Sequence, residues 1–136
     1  MKKPFLLFTL KCAVILYFAA CTSIEDYTVT QAATPVITHG AWKVNLFMAT
    51  NSDQTNEFAG YNFSFTTSGD VKVVKNGVEV DGNWAEDHFS KSINLNLATS
   101  DPVLAKLNNY WKISAISFGQ VELQNDSDKR LHIASL

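Results

Sequence analysis

From Gly40 to the end of the chain, apolar residues recur at every second position in short runs separated by turn-forming residues. A period of two places neighbouring side chains on opposite faces of an extended backbone, so each run predicts a half-buried β-strand. Trp42, Val44, Leu46 and Met48 alternate with Lys43, Asn45 and Phe47, which assigns Phe47 to the polar face. Tyr61, Phe63 and Phe65 form a second run, Val71 and Val73 a third, and Val78 and Val80 a fourth. Asn76-Gly77, between the last two, is a strong two-residue hairpin turn. Ile93, Leu95 and Leu97 make the fifth run, and Trp111, Ile113 and Ala115 the sixth. Val121 with Leu123 and Leu131 with Ile133 complete a set of eight. A helical piece, Pro102 to Asn108, falls between the fifth and sixth strands, with Asp101 placed to cap it and Pro102 in its first turn. Eight short sequential strands predict an all-β fold, an antiparallel up-and-down barrel that removes exposed edges by closing. An open two-sheet sandwich is the rival, and the barrel is preferred.

The front of the chain follows another rule. Met1-Lys2-Lys3 is basic, Cys12 to Ala20 is an uninterrupted apolar run, and the small residues Ala19 and Ala20 precede Cys21. This is the layout of an export signal over residues 1–20. Lys11 interrupts the longer apolar stretch, which argues against a permanent span of about 20 apolar residues. Residues 21–38 are polar and β-branched without a clear period and read as a tether, leaving 39–136 as the folded domain. Three of the eleven basic residues (Lys2, Lys3 and Lys11) lie in the leader, so eight face all thirteen acids beyond it, a net charge of −5. That balance argues against a nucleic-acid partner or a polybasic hold on anionic lipid. The two cysteines are Cys12 and Cys21, and cleavage before Cys21 would discard the first, so the mature domain has no disulfide and depends on its core.

Phe18-Ala19-Ala20-Cys21 resembles the lipobox of bacterial lipoproteins. The resemblance implies that Cys21 is acylated after cleavage and holds the protein in the cell envelope, at a bacterial membrane on its periplasmic or exterior side. Gly40-Ala41-Trp42 resembles the G-x-W signature that opens the first strand of lipocalins and related calycin barrels. In those families a basic residue near the last strand lies over the tryptophan, which implies a Trp42–Arg130 pair closing one barrel end. Gly60-Tyr61-x-Phe63-x-Phe65, Gly82-Asn83-Trp84 and Trp111-Lys112-Ile113 are similar to a group of small lipocalin-like lipoproteins of unassigned function. This likeness covers roughly Thr38 to Leu136.

Candidate chemistry is sparse. His39, His88 and His132 are widely separated, and no metal-binding, nucleophile-elbow or phosphate-loop spacing occurs, so neither metal nor cofactor is expected and the protein reads as non-enzymatic. Glu86-Asp87-His88, the one local cluster of ionisable groups, reads as a solvated loop. Aromatic residues are the stronger signal. Trp42, Leu46, Tyr61, Phe63, Phe65 and Trp84 would line the barrel and bind a small apolar or aromatic ligand, with Tyr61 and Trp84 each offering a polar contact. Phe47 and Phe58 would form a patch on the rim. The alternatives are a protein-binding module of the envelope protease or lysozyme inhibitor type, and a structural component of the envelope.

Overall fold

The computed structural model describes residues 32–136. The expected leader, Cys21 and the tether as far as residue 31 lie outside them. Within them the period-two runs form β1 (Trp42–Ala49), β2 (Ser52–Asp53), β3 (Asn62–Phe65), β4 (Asp70–Lys75), β5 (Val78–Asp87), β6 (Ser92–Leu97), β7 (Asn109–Ser117), β8 (Gln120–Gln124) and β9 (Arg130–Ser135). Two single-turn helices, α1 (Thr34–Ile37) and α2 (Pro102–Ala105), and a 3₁₀ turn (Thr55–Phe58) complete the set. Consecutive strands pair antiparallel from β3 to β9, and β9 pairs back onto β1, so eight strands close a barrel while β2 flanks it. The preference for a barrel over a sandwich is thereby met, and α2 lies between β6 and β7, the fifth and sixth of the expected strands.

Closure is uneven. β1 and β9 pair from Trp42↔Ser135 to Met48↔Arg130, but β1 meets β3 at the single pair Trp42↔Phe63. The rest of that β1 edge would be open, and the connection to β3 covers it. β2 folds back on β1 at Met48↔Asp53 and Ala49↔Ser52. The Phe47 N–H donates to Thr55 Oγ1 at 2.9 Å, and the Phe47 carbonyl accepts the Gln54 N–H at 2.8 Å. An edge satisfied this way offers little template for another strand.

Two β-bulges change which residues face inward. In β1 the register against β9 slips between Val44 and Leu46, so the inward series runs Trp42, Val44, Phe47, Ala49. An extra residue in one strand reverses the alternation beyond it. Phe47 is therefore fully buried, 4.9 Å from the ring of Phe58 and 6.4 Å from that of Trp111. This corrects the assignment of Phe47 to the polar face and of Phe58 to the rim, since Phe58 is buried too. A second slip, between Ile113 and Ala115 in β7, turns Ile116 rather than Ala115 toward the core. At Gly82 the backbones of β5 and β6 approach so closely that a Cβ would stand 2.5 Å from the Asn96 carbonyl oxygen.

The barrel has two distinct ends. At the entry end lie α1, the start of β1, the turns after β3, β5 and β7, and the end of β9. The far end carries β2, the 3₁₀ turn, α2 and the turns after β4 and β8. α1 closes the entry end, placing Ala33 and Ile37 in the core. The expected tether therefore does not continue to Thr38, because its last residues fold onto the barrel. At the far end Leu104 and Leu107 enter the core, and the Asp101 carboxylate accepts the Val103 N–H at 2.8 Å as the cap of α2.

Candidate functional site

The expected ligand-lining residues divide into two groups. Trp42, Phe63, Phe65 and Trp84 do meet inside the barrel, where all four are buried. They pack against one another and their neighbours, with Phe65 edge-on to Trp84 at 5.6 Å between ring centres. Leu46 and Tyr61 lie elsewhere. Leu46 is turned from the interior by the β1 bulge and is half-buried, and Tyr61 precedes β3 at the far end, packed on the margin of the core.

The space left in the interior decides what it can hold. Beneath Ile37 of α1 and Leu107 beyond α2, Val44, Phe63, Phe65, Ile93 and Trp111 with four others surround a cavity of about 20 Å³. That is room for roughly one water molecule, against about 300 Å³ at the lower end for small-molecule sites. The polar handles expected for a ligand are engaged as well. Trp84 Nε1 donates to the Thr66 carbonyl at 2.9 Å, and the Tyr61 hydroxyl donates to Asp101 Oδ2 at 2.5 Å. Trp111 Nε1 donates to the Leu107 carbonyl at 2.8 Å. Trp42 Nε1, by contrast, is buried and finds no hydrogen-bond partner among the described residues.

Arg130 does not meet Trp42. In the antiparallel β1–β9 pairing Trp42 stands opposite Ser135 while Arg130 stands opposite Met48, at the other end of both strands. Six residues of strand separate the two positions, roughly 20 Å. Arg130 instead lines an open crevice of about 260 Å³ at the far end, with Met48, Asn51, Gln124, Asn125, Asp128 and Lys129. Thr50, Asn51 and Asp128 all hold left-handed backbone conformations there, with φ of 51°, 59° and 57°. For a β-branched residue such as Thr50 this is an uncommon geometry, costing of order 1 kcal/mol. Beside the crevice-bearing turns, the far end also carries a polar relay. Lys75 Nζ sits 4.4 Å from the centre of the Tyr61 ring, and Tyr61 bonds the carboxylate that caps α2. The bond from Tyr61, the Val103 N–H and the Lys75 charge hold the Asp101 carboxyl below its usual value. The same bond, together with burial, raises the Tyr61 phenol.

At the entry end Glu86 has a role that spacing did not reveal. Its carboxylate accepts the Ala33 N–H at 2.9 Å, the Thr34 N–H at 3.0 Å and the Thr34 hydroxyl at 3.3 Å, so it caps α1 from the end of β5. His88 approaches it at 3.4 Å, and the Glu86 side chain is only 4 % exposed. The expectation of a solvated Glu86-Asp87-His88 loop is thus corrected at Glu86, whose partners lie more than fifty residues away in sequence. Among the described residues no three His, Cys, Asp or Glu side chains converge as a metal site would require, and no helix is long and apolar enough to cross a membrane.

Comparison with known proteins bears on the fold. No family model matches the chain, and no curated protein matches it. Among solved structures, the fold is similar to that of a DUF4847 family protein from Bacteroides vulgatus ATCC 8482, with a TM-score of 0.61 at 15 % identity over 76 % of this chain and 97 % of that one. A lipocalin-like protein from Bacteroides uniformis ATCC 8492 gives a TM-score of 0.55 at 12 % identity, covering 73 % of this chain and 98 % of the other. The barrel of this chain therefore shares the fold of these two structures, a closed antiparallel barrel of eight strands.

Proposed function

We propose that this chain is an exported lipoprotein, anchored to a bacterial membrane through an acylated Cys21, whose barrel works as a protein-binding module. Small-molecule carriage by the barrel interior is the reading set aside. The lipobox-like Phe18-Ala19-Ala20-Cys21 supports the anchor. The observation that carries the choice of function is the closed interior, where α1 and α2 plug both ends and about 20 Å³ remains between them. Concave relief lies outside instead, and the far-end crevice is the part of it where Lys129, Arg130, Asp128 and Asn51 present charge and hydrogen-bonding groups, beside Thr50 in a left-handed conformation. Backbone strain that surrounding structure must enforce is found preferentially at recognition sites. The role is non-enzymatic.

The test is native mass spectrometry of the protein extracted from its host membranes in mild detergent. The expected result is a barrel without a small molecule and a protein complex weakened by Arg130→Glu. A stoichiometric small molecule released only on unfolding would reverse the reading, and a barrel with neither companion would favour a structural envelope component. Cys21→Ser is expected to abolish acyl labelling of the chain.

A further inference from the structure

Tight turns normally carry Gly, Asn, Asp or Ser, because those residues suit the backbone and leave nothing apolar in water. Two turns at the entry end break this rule. The β7–β8 turn places Phe118 at its tip and the β5–β6 turn places Phe89 at its own, and both side chains are fully exposed. Neither tip is loose. Gly119 supplies the left-handed residue of its turn (φ 85°), and its carbonyl accepts the Ser135 N–H at 2.9 Å, fastening the hairpin to the end of β9. Asp87 Oδ1 accepts the N–H groups of Phe89 at 2.9 Å and Ser90 at 3.3 Å. Among the described residues, two ordered turns thus hold phenyl rings outward without a partner on one end of the barrel.

That end is also where the chain enters. Glu86 clamps Ala33 and Thr34 there. Ala32 lies eleven residues after Cys21, and even a fully extended backbone of that length spans at most roughly 40 Å. A lipid anchor on Cys21 would thus be tied to this end of the barrel rather than to the far end. Charge around the tips is nearly balanced: Lys91 and His88 stand beside Asp87, and Ser117 to Gln120 carries none. The chemistry suits an apolar, zwitterionic interface more than an anionic surface.

From this we infer that the entry end docks on the membrane leaflet that carries the anchor, with Phe89 and Phe118 seated at the headgroup boundary. The inference rests on the anchor reading above and assigns the barrel an orientation, far end outward. It is tested on the full chain reconstituted into phosphatidylcholine vesicles whose acyl chains are either plain or brominated. Phe89→Trp, Phe118→Trp and, as a far-end control, Val78→Trp are compared with the unsubstituted chain, whose Trp42, Trp84 and Trp111 are buried and give a common background. The expected result is a blue shift on reconstitution and loss of emission in brominated vesicles for both tip variants, with neither effect for Val78→Trp. Tip tryptophans that respond no more than Val78→Trp would overturn the docking. So would a blue shift that appears without lipid and grows with protein concentration, because that marks a second copy of the chain as the occupant. Flotation with the vesicles, measured alongside, reports the anchor separately. Floating chains with silent tips refute the docking alone, whereas chains that neither float nor respond refute both readings.

Discussion

Replacing Glu86 by alanine should loosen the plug at the entry end before it disturbs the barrel. The carboxylate accepts two backbone N–H groups and one hydroxyl at the start of α1. A cap of this kind contributes about 0.5–2 kcal/mol, and hydrogen bonds to a charged acceptor about 1.5–3 kcal/mol each where water cannot replace them. Ala33 is buried and Thr34 half-buried, so water recovers part of the loss at Thr34 alone, and an expected weakening of about 2–4 kcal/mol follows from the two scales together. A single-turn helix has no stability of its own to oppose it. Ile37, 1 % exposed, would then leave the core with α1. The sensitive assay is amide hydrogen exchange at Ile37 and Thr38, whose N–H groups bond to the carbonyls of Ala33 at 2.8 Å and Thr34 at 3.2 Å. Their exchange should accelerate by roughly 30-fold to several hundred-fold, taking a factor of ten per 1.4 kcal/mol. Amides paired deep in the barrel, such as those of Val121 and Ile133 across β8 and β9, should change less, because α1 opens locally. Glu86→Gln keeps a neutral acceptor and should fall between. Unchanged exchange at Ile37 and Thr38 in Glu86→Ala would refute the reasoning.

Three further outcomes discriminate. Phe47→Ala should cost about 3–5 kcal/mol in urea unfolding, the range for a buried aromatic, whereas a polar-face residue would cost within about 0.5 kcal/mol; a loss under about 1 kcal/mol would remove the case for the β1 bulge. Among the tryptophans, Trp42→Phe deletes a buried N–H without a partner while Trp84→Phe and Trp111→Phe each delete a made hydrogen bond. Trp42→Phe should therefore be the mildest of the three by about 1 kcal/mol, and equal midpoints would contradict it. The Tyr61–Asp101 bond should shape the pH dependence of stability at both extremes. Asp101 titrates below its usual value in the folded state, so its contribution is present above the unfolded value, about 3.9, and is lost as pH falls through the folded one. Tyr61 is raised, so its contribution is present below its unfolded value, about 10, and is lost as pH rises through the folded one. Tyr61→Phe should flatten both limbs of a urea-midpoint profile, and an unaltered acid limb would show that this bond does not set it.

What the sequence discloses and what it hides follow from how locally each feature is encoded. Strand runs, the Asn76-Gly77 hairpin and the Asp101-Pro102 helix start depend on adjacent residues, and each is found where the pattern put it. The bulges are different. A slip between Val44 and Leu46 is chosen because it turns Phe47 into the space between Phe58 and Trp111, eleven and sixty-four positions along the chain. The one local hint was the aromatic residue itself on a nominally polar face. Glu86 gave less warning still, as its ligands are backbone groups of a segment whose composition reads as tether. Arg130 was displaced by register: a residue at the start of the last strand lies opposite the end of the first, and only an account of strand direction would have separated it from Trp42.

The filled interior can be understood from the chain's limited means. Both cysteines precede the barrel, so no disulfide crosses it, and its core must supply the stability. A cavity of about 300 Å³, at roughly 24 cal/mol for each Å³, would cost about 7 kcal/mol. That is comparable with the whole stability of an ordinary domain, about 5–15 kcal/mol. Filling the barrel with three tryptophans, four phenylalanines and the plugs from α1 and α2 avoids that loss. The consequence is that recognition has to be carried by the outside of the barrel, where the two ends differ most in chemistry. One end holds the charged crevice around Arg130, and the other holds the chain entry and two outward phenyl rings. An end with fixed charge and hydrogen-bonding groups suits a protein surface, and an end with rigid apolar tips suits lipid. On the proposed reading, the packed core would keep these two different faces apart and in fixed orientation.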